Sequence, residues 1–163
     1  MRSGIKKIFF SLSLMLCLSV SLTACNVNPS PYKFMHGIDE IQEIQIVYIE
    51  LAEDREFYAY MIEDCKVLAD IEDISEFIEK FNIDVLFTKF LFGEPTHLGN
   101  GDYAIKITYI NGDFELIGYY AQCRGYWEET SGGWGPGAPG FVNCNRDDFM
   151  NFINLYLDEP VKS

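Results

Sequence analysis

The chain has 163 residues, 48% hydrophobic and 15% aromatic, with 25 acidic side chains against 12 basic ones and a net charge of −13. That length and apolar content support one folded domain with appendages and exclude an intrinsically disordered chain. The acidic excess argues against nucleic acid or an anionic lipid face as a partner, since both require clustered Lys and Arg.

Arg2, Lys6 and Lys7 form a basic start, followed by an apolar run over residues 8–20. At 13 residues the run is too short to span a bilayer, which needs about 20, but it suits the hydrophobic region of a secretory signal. Small residues then lead into Leu22-Thr23-Ala24-Cys25. These residues resemble the signal and lipobox of bacterial membrane lipoproteins, L-x-[AG]-C. The resemblance implies that residues 1–24 are removed and that the Cys25 thiol carries a diacylglycerol, anchoring the chain at the cell membrane and facing outside the cytoplasm. Two acyl chains, at about 0.8 kcal/mol per buried methylene, anchor stably without a transmembrane helix. A plain secretory signal cleaved after Ala24 fits the small residues too, but it gives no role to the cysteine. Loss of the signal leaves nine basic side chains against 25 acidic ones, a net charge of −16.

Residues 25–37 hold prolines at 29 and 31 and no apolar periodicity, which predicts a lipidated N-terminus and a tether. A single domain is expected over residues 38–163. Ile44, Ile46 and Tyr48 alternate with Gln45, Val47 and Ile49, predicting a strand with both faces partly apolar. A second strand is expected over residues 57–61, continuing towards Val67. Ile74, Phe77, Ile78 and Phe81 mark one face of a helix, with Asp73 as N-cap and Glu76 as its capping-box partner. A third strand is expected over residues 84–90, then a connecting loop over 93–101.

Tyr103, Ile105, Ile107 and Tyr109 alternate ahead of Asn111-Gly112, the signature of a hairpin with a type I′ turn, and residues 114–121 return as its partner. Phe149, Phe152, Ile153, Tyr156 and Leu157 predict a last helix, capped by Asn145. The strand residues around Ile44 and Ile105 match at an offset of 61, and the helical Phe77 and Phe149 at 72. The predicted fold is therefore α+β: an antiparallel sheet with two helices on one face, from two strand–strand–helix units in tandem.

Cys17 leaves with the signal and Cys25 takes the lipid, so Cys65, Cys123 and Cys144 remain. Cys123 and Cys144 flank a glycine-rich stretch, and a disulfide between them would stabilise by about 3 kcal/mol in the chain-entropy model. The alternative is that all three are small buried hydrophobes. Residues 124–140 hold six glycines, two prolines and both tryptophans of the chain. They are expected as a 17-residue loop in which Tyr126, Trp127 and Trp134 offer a binding surface to a protein or glycan.

No catalytic residue, metal or cofactor is expected. His36 and His97 are isolated, and the acidic pairs lack the spacing of a calcium loop. The Ser30–Lys33 match to S-x-x-K has none of its companion motifs, and the glycine-rich run lacks the Lys-Ser or Lys-Thr of a phosphate loop. The expected function is non-enzymatic: a membrane-anchored binding module, or alternatively an inhibitor or immunity-type protein capping another protein. A hydrolase or metal-dependent enzyme is the remaining, weaker reading.

Overall fold

β-Branched and aromatic residues alternate along two segments, and both become central strands. The computed structural model describes residues 29–50, 65–88, 98–128, 133–135 and 143–161, with the course of the chain alone at 127–128 and 133–135. Cys25, the expected strand at 57–61 and most of the 93–101 connection lie outside these residues. In chain order the elements are β1 (Ile41–Ile49), β2 (Cys65–Asp70), α1 (Ile74–Asp84), β3 (Tyr103–Tyr109), β4 (Phe114–Ile117), β5 (Gln122–Glu128), β6 (Gly133–Gly135) and α2 (Arg146–Asn154). The strands form one antiparallel sheet in the order β2-β1-β3-β4-β5-β6, and both helices pack on one face, so the α+β architecture is as expected.

The helix-side core draws Ile44, Ile46, Ile105, Ile107 and Ile117 from the sheet. Phe77, Ile78 and Phe81 of α1 and Phe149, Phe152 and Ile153 of α2 meet them. The other face carries a smaller cluster of Val47, Ile49, Ala104, Phe114 and Leu116, closed in part by Leu98 and Ala121. Burial on both faces explains why β1 carries apolar residues on both faces rather than a clean alternation.

The internal echo has a structural meaning. Ile44 pairs with Ile107 and Ile46 with Ile105 across the β1–β3 ladder. Adding 61 to Ile44 gives Ile105, and subtracting 61 from Ile107 gives Ile46. The offset therefore exchanges the two pairs, which is the signature of a two-fold axis through Gln45 and Lys106. The helix N-caps, Asp73 and Asn145, are 72 apart, as are Phe77 and Phe149. The second unit has a tighter strand–strand connection but carries the extra β5–β6 hairpin before its helix, and these two differences account for the changed offset.

Both helix starts follow from side-chain capping. The Asp73 carboxylate accepts the Glu76 N–H at 2.9 Å, while the Glu76 side chain turns to Lys80 at 2.5 Å instead of closing the expected capping box. Asn145 Oδ1 accepts from Asp147 N–H at 2.8 Å and Asp148 N–H at 3.2 Å. Replacing Asn145 by alanine is expected to cost about 1 kcal/mol, read as a lower urea midpoint with an unchanged slope.

Three local expectations are corrected. The β3–β4 turn is not a two-residue type I′ turn: Tyr109 N–H reaches Asp113 O at 2.8 Å, enclosing a three-residue loop, and Gly112 N–H reaches Tyr109 O at 2.9 Å. Gly112 takes φ +87°, the left-handed position that ends such a loop, and Asn111 Oδ1 accepts the Asp113 N–H at 3.0 Å. The strand expected at 84–90 is reduced, in its described part, to single bridges at Phe87 and Thr88, because α1 runs through Asp84.

The tether expected over 25–37 is corrected in its described part, residues 29–37, which dock on the domain. Ser30 bridges Phe87, with backbone hydrogen bonds of 2.9 and 2.8 Å. Tyr32 is buried in the main core, where its ring meets Phe34, Phe81 and Phe87. The prolines stop this segment from forming regular structure, but its aromatic side chains still pack.

Candidate functional site

The glycine-rich stretch is corrected from a loop to a sheet edge over much of its described length. β5 pairs with β4 in the register Phe114↔Gly125, Glu115↔Arg124, Leu116↔Cys123. Gly125 is required there, because a Cβ at that position would lie 1.9 Å from the Phe114 ring. Beyond it, β5 turns back as β6, with Tyr126 opposite Gly135 and Trp127 opposite Trp134. The two tryptophans expected on one loop are therefore directly cross-strand on a hairpin at the end of the sheet. Tyr126 is 48% exposed.

A buried polar cluster lies where β4 and β5 meet the N-terminal segment. Glu115 has no exposed surface, yet it is surrounded by donors. Tyr32 hydroxyl donates to it at 2.6 Å, Tyr109 hydroxyl at 2.5 Å and Arg124 Nε–H at 3.1 Å, and the Met35 backbone N–H donates as well. Arg124 also donates to Lys33 O at 2.8 Å, tying the same segment from a second side. Further along, His36 Nε2 lies 2.7 Å from Asp113 Oδ2, with its ring edge-on to Tyr109. Burial, followed by the Glu115 charge and hydrogen bond, holds the Tyr32 hydroxyl well above its ordinary range. Tyr109 is raised by burial and by its hydrogen bond to Glu115.

These groups hold one another, and Glu115 is closed to solvent, so the cluster is a clasp for residues 32–36 rather than a place for a substrate. Sequence reasoning missed it. The available signal was a glutamate inside the apolar strand Phe-Glu-Leu-Ile, together with two aromatics in a segment with the composition of a spacer.

The expected Cys123–Cys144 bridge is corrected: both sulfurs are free thiols. Cys144 sits in the helix-side core, whereas Cys123 packs against the cluster on the opposite face, so the sheet lies between them. Burial pushes the Cys144 thiol up to about 12, reinforced by the Asp148 charge, and burial also raises Cys123. In the folded state Cys144 is expected to resist alkylation at pH 8, with labelling only on unfolding. A Cys123–Cys144 peptide pair in a non-reducing digest would contradict this.

The sign of the linkage is set by which state keeps the proton. An open-chain thiol loses it near pH 9.0 while the folded Cys144 keeps it towards pH 12. Its contribution to stability is therefore complete below pH 9.0 and is lost as pH rises towards 12. The raised pKa values of Tyr32 and Tyr109 act in the same direction, above about pH 10. Thermal melts are thus expected to drop steadily on the alkaline side.

Among the described residues, no group of three His, Cys, Asp or Glu side chains is arranged to hold a metal ion. Among the same residues, no helix is long and apolar enough to cross a membrane. No protein family, curated protein or solved structure matches the chain.

Proposed function

We propose that the chain is a lipid-anchored, non-catalytic binding protein on the outer side of the cell membrane, and that its β5–β6 hairpin is the contact surface. The observation that carries the binding reading is the pairing of Trp127 with Trp134 on a three-residue edge strand, beside the exposed Tyr126. Rigid aromatics on a hairpin offer large contact area at little entropic cost, and an edge strand has backbone groups open to a partner. A protein or a glycan is the partner class. The anchoring reading rests on Arg2, Lys6 and Lys7, the apolar run over 8–20, and Leu22-Thr23-Ala24-Cys25.

Together the two readings set a geometry. Cys25 and Ser30 are five residues apart, a span of at most about 18 Å when fully extended, and Ser30 is already bridged to the domain. The anchor therefore holds the domain close to the bilayer, while its acidic surface is repelled by anionic headgroups at short range.

The test is a pull-down from detergent-solubilised native membranes. Wild-type protein is compared with a Trp127→Ala/Trp134→Ala variant matched in thermal stability. A partner held by wild type and lost by the variant supports the reading. A stoichiometric protein partner would favour the alternative, an inhibitor or immunity-type protein, over the binding module. Equal recovery from both proteins removes the hairpin as the site. Separately, Cys25→Ser is expected to move the chain from the membrane fraction to the soluble one, and an unchanged distribution would remove the lipid anchor.

A further inference from the structure

We propose a second binding site, distinct from the hairpin, which takes a small organic cation: an ammonium group carried on an apolar body. The site is a groove of about 350 Å³ where the end of β1 and the start of β3 meet the segment that follows α2. That volume lies within the range of small-molecule sites, at its lower end.

Tyr48 and Tyr103 are directly paired across the β1–β3 ladder, and both line the groove. Their ring centroids are 5.1 Å apart with planes inclined at 57°, so the rings form an angled aromatic wall. Leu157 and Val161 bring apolar surface from the other side. Among the described residues, the charged side chains that line the groove are Glu50, Asp158, Glu159 and Lys66, all exposed, three acids against one base. A π face attracts a cation through the ring quadrupole, and carboxylates beside it add Coulomb attraction, whereas an anion meets repulsion from both. The apolar surface selects against a bare, strongly hydrated ion and in favour of one attached to hydrocarbon.

The acid-bearing segment is held in place rather than hanging free. Asn154 Nδ2–H donates to Val161 O at 3.0 Å, and Asn154 Oδ1 accepts the Val161 N–H at 2.8 Å. This two-bond clamp closes the turn that carries Leu157, Asp158 and Glu159. The groove thus has a fixed wall before any ligand arrives, which reduces the ordering cost of binding. The strongly acidic chain also raises the local concentration of cations by steering.

The probes are phenethylammonium, its near-isosteric neutral analogue phenethyl alcohol, and the anion 3-phenylpropionate. Each is titrated calorimetrically into the full chain in a neutral detergent. Wild type is expected to bind the ammonium at least about tenfold more tightly than the alcohol, with no detectable binding of the anion. The variant Glu50→Gln/Asp158→Asn/Glu159→Gln changes only exposed side chains and should keep its melting temperature while losing the preference for the cation. Tyr103→Leu should weaken the ammonium and the alcohol together. Equal affinity for ammonium and alcohol would overturn the proposal. So would the absence of heat with every probe, or a preference that survives the triple substitution.

Discussion

Replacing Glu115 by alanine is expected to destabilise the domain by about 3–5 kcal/mol, because it takes their shared acceptor from a partly buried guanidinium, the buried Tyr109 hydroxyl and the Met35 N–H, and leaves Tyr32 with Gln122 alone. Arg124, Tyr32 and Tyr109 all converge on this fully buried carboxylate, and the Met35 N–H also donates to it. Bringing four donors onto one carboxylate offsets its desolvation, and removing it takes this acceptor from all four, although Tyr32 keeps Gln122 Oε1 at 2.6 Å and Arg124 keeps Lys33 O at 2.8 Å. The melting temperature should fall by on the order of 10 °C or more. The loss should also free the N-terminal segment, since Met35 and Tyr32 are held by the same carboxylate and Lys33 by its partner Arg124. Hydrogen exchange should therefore report faster exchange at residues 32–36 at temperatures where β1 and β3 remain protected. A variant that melts within a degree or two of wild type would show that the clasp contributes nothing to the fold. Tyr32→Phe, which removes one donor and keeps the ring, should cost only about 1 kcal/mol.

The second large effect is expected at Phe81. Its side chain is fully buried, and its ring lies 5.3 Å from Phe152 of α2, 5.7 Å from Phe87 and 6.2 Å from Tyr32. It also stacks on Phe77, one turn earlier on α1, at 6.1 Å. Phe81 is thus where the two helices, the residues after α1 and the N-terminal segment meet. Phe81→Ala removes the transfer free energy of a whole ring and leaves a cavity bounded by rigid aromatics that collapse poorly. The expected cost is about 3–5 kcal/mol, measured by urea unfolding. Ile83, two residues further along the same helix, is 68% exposed and supplies the control. Ile83→Ala should stay within about 0.5 kcal/mol of wild type. If the two substitutions cost the same, the aromatic junction is not the centre of the core.

Both positions bear on what a reader of the sequence sees. Phe81 was legible, since it completes the spacing Ile74, Phe77, Ile78, Phe81, and helical periodicity is a local property. Glu115 was not, because its meaning depends on Tyr32, 83 residues away, and on the Met35 backbone, 80 away. An acidic residue in a strand ordinarily marks a solvent-facing position, and only the arrival of another segment turns it inward. The same contrast separates the two candidate sites. The tryptophans, together with the glycines around them, drew attention in the sequence, although glycine and proline content argued for a loop where the backbone makes a hairpin. Tyr48 and Tyr103 read only as strand residues, and nothing local says that Asn154 folds the chain after α2 over the groove they line.

By itself, the sequence determined the α+β class, the two capped helices, the central I-x-I-x-Y strands and the internal offset of 61 residues. Each depends on periodicity or capping within a few residues, or on direct comparison of two such stretches. Only the tertiary structure decided that the offset is a two-fold relation across the β1–β3 ladder. It also decided that the apparent spacer is clasped to the sheet, that Cys123 and Cys144 lie on opposite faces, and that Trp127 stands opposite Trp134. These outcomes depend on contacts between residues far apart in the chain. Such contacts form only after loop-closure entropy is offset by burial, and no local pattern of residue types records which of them do.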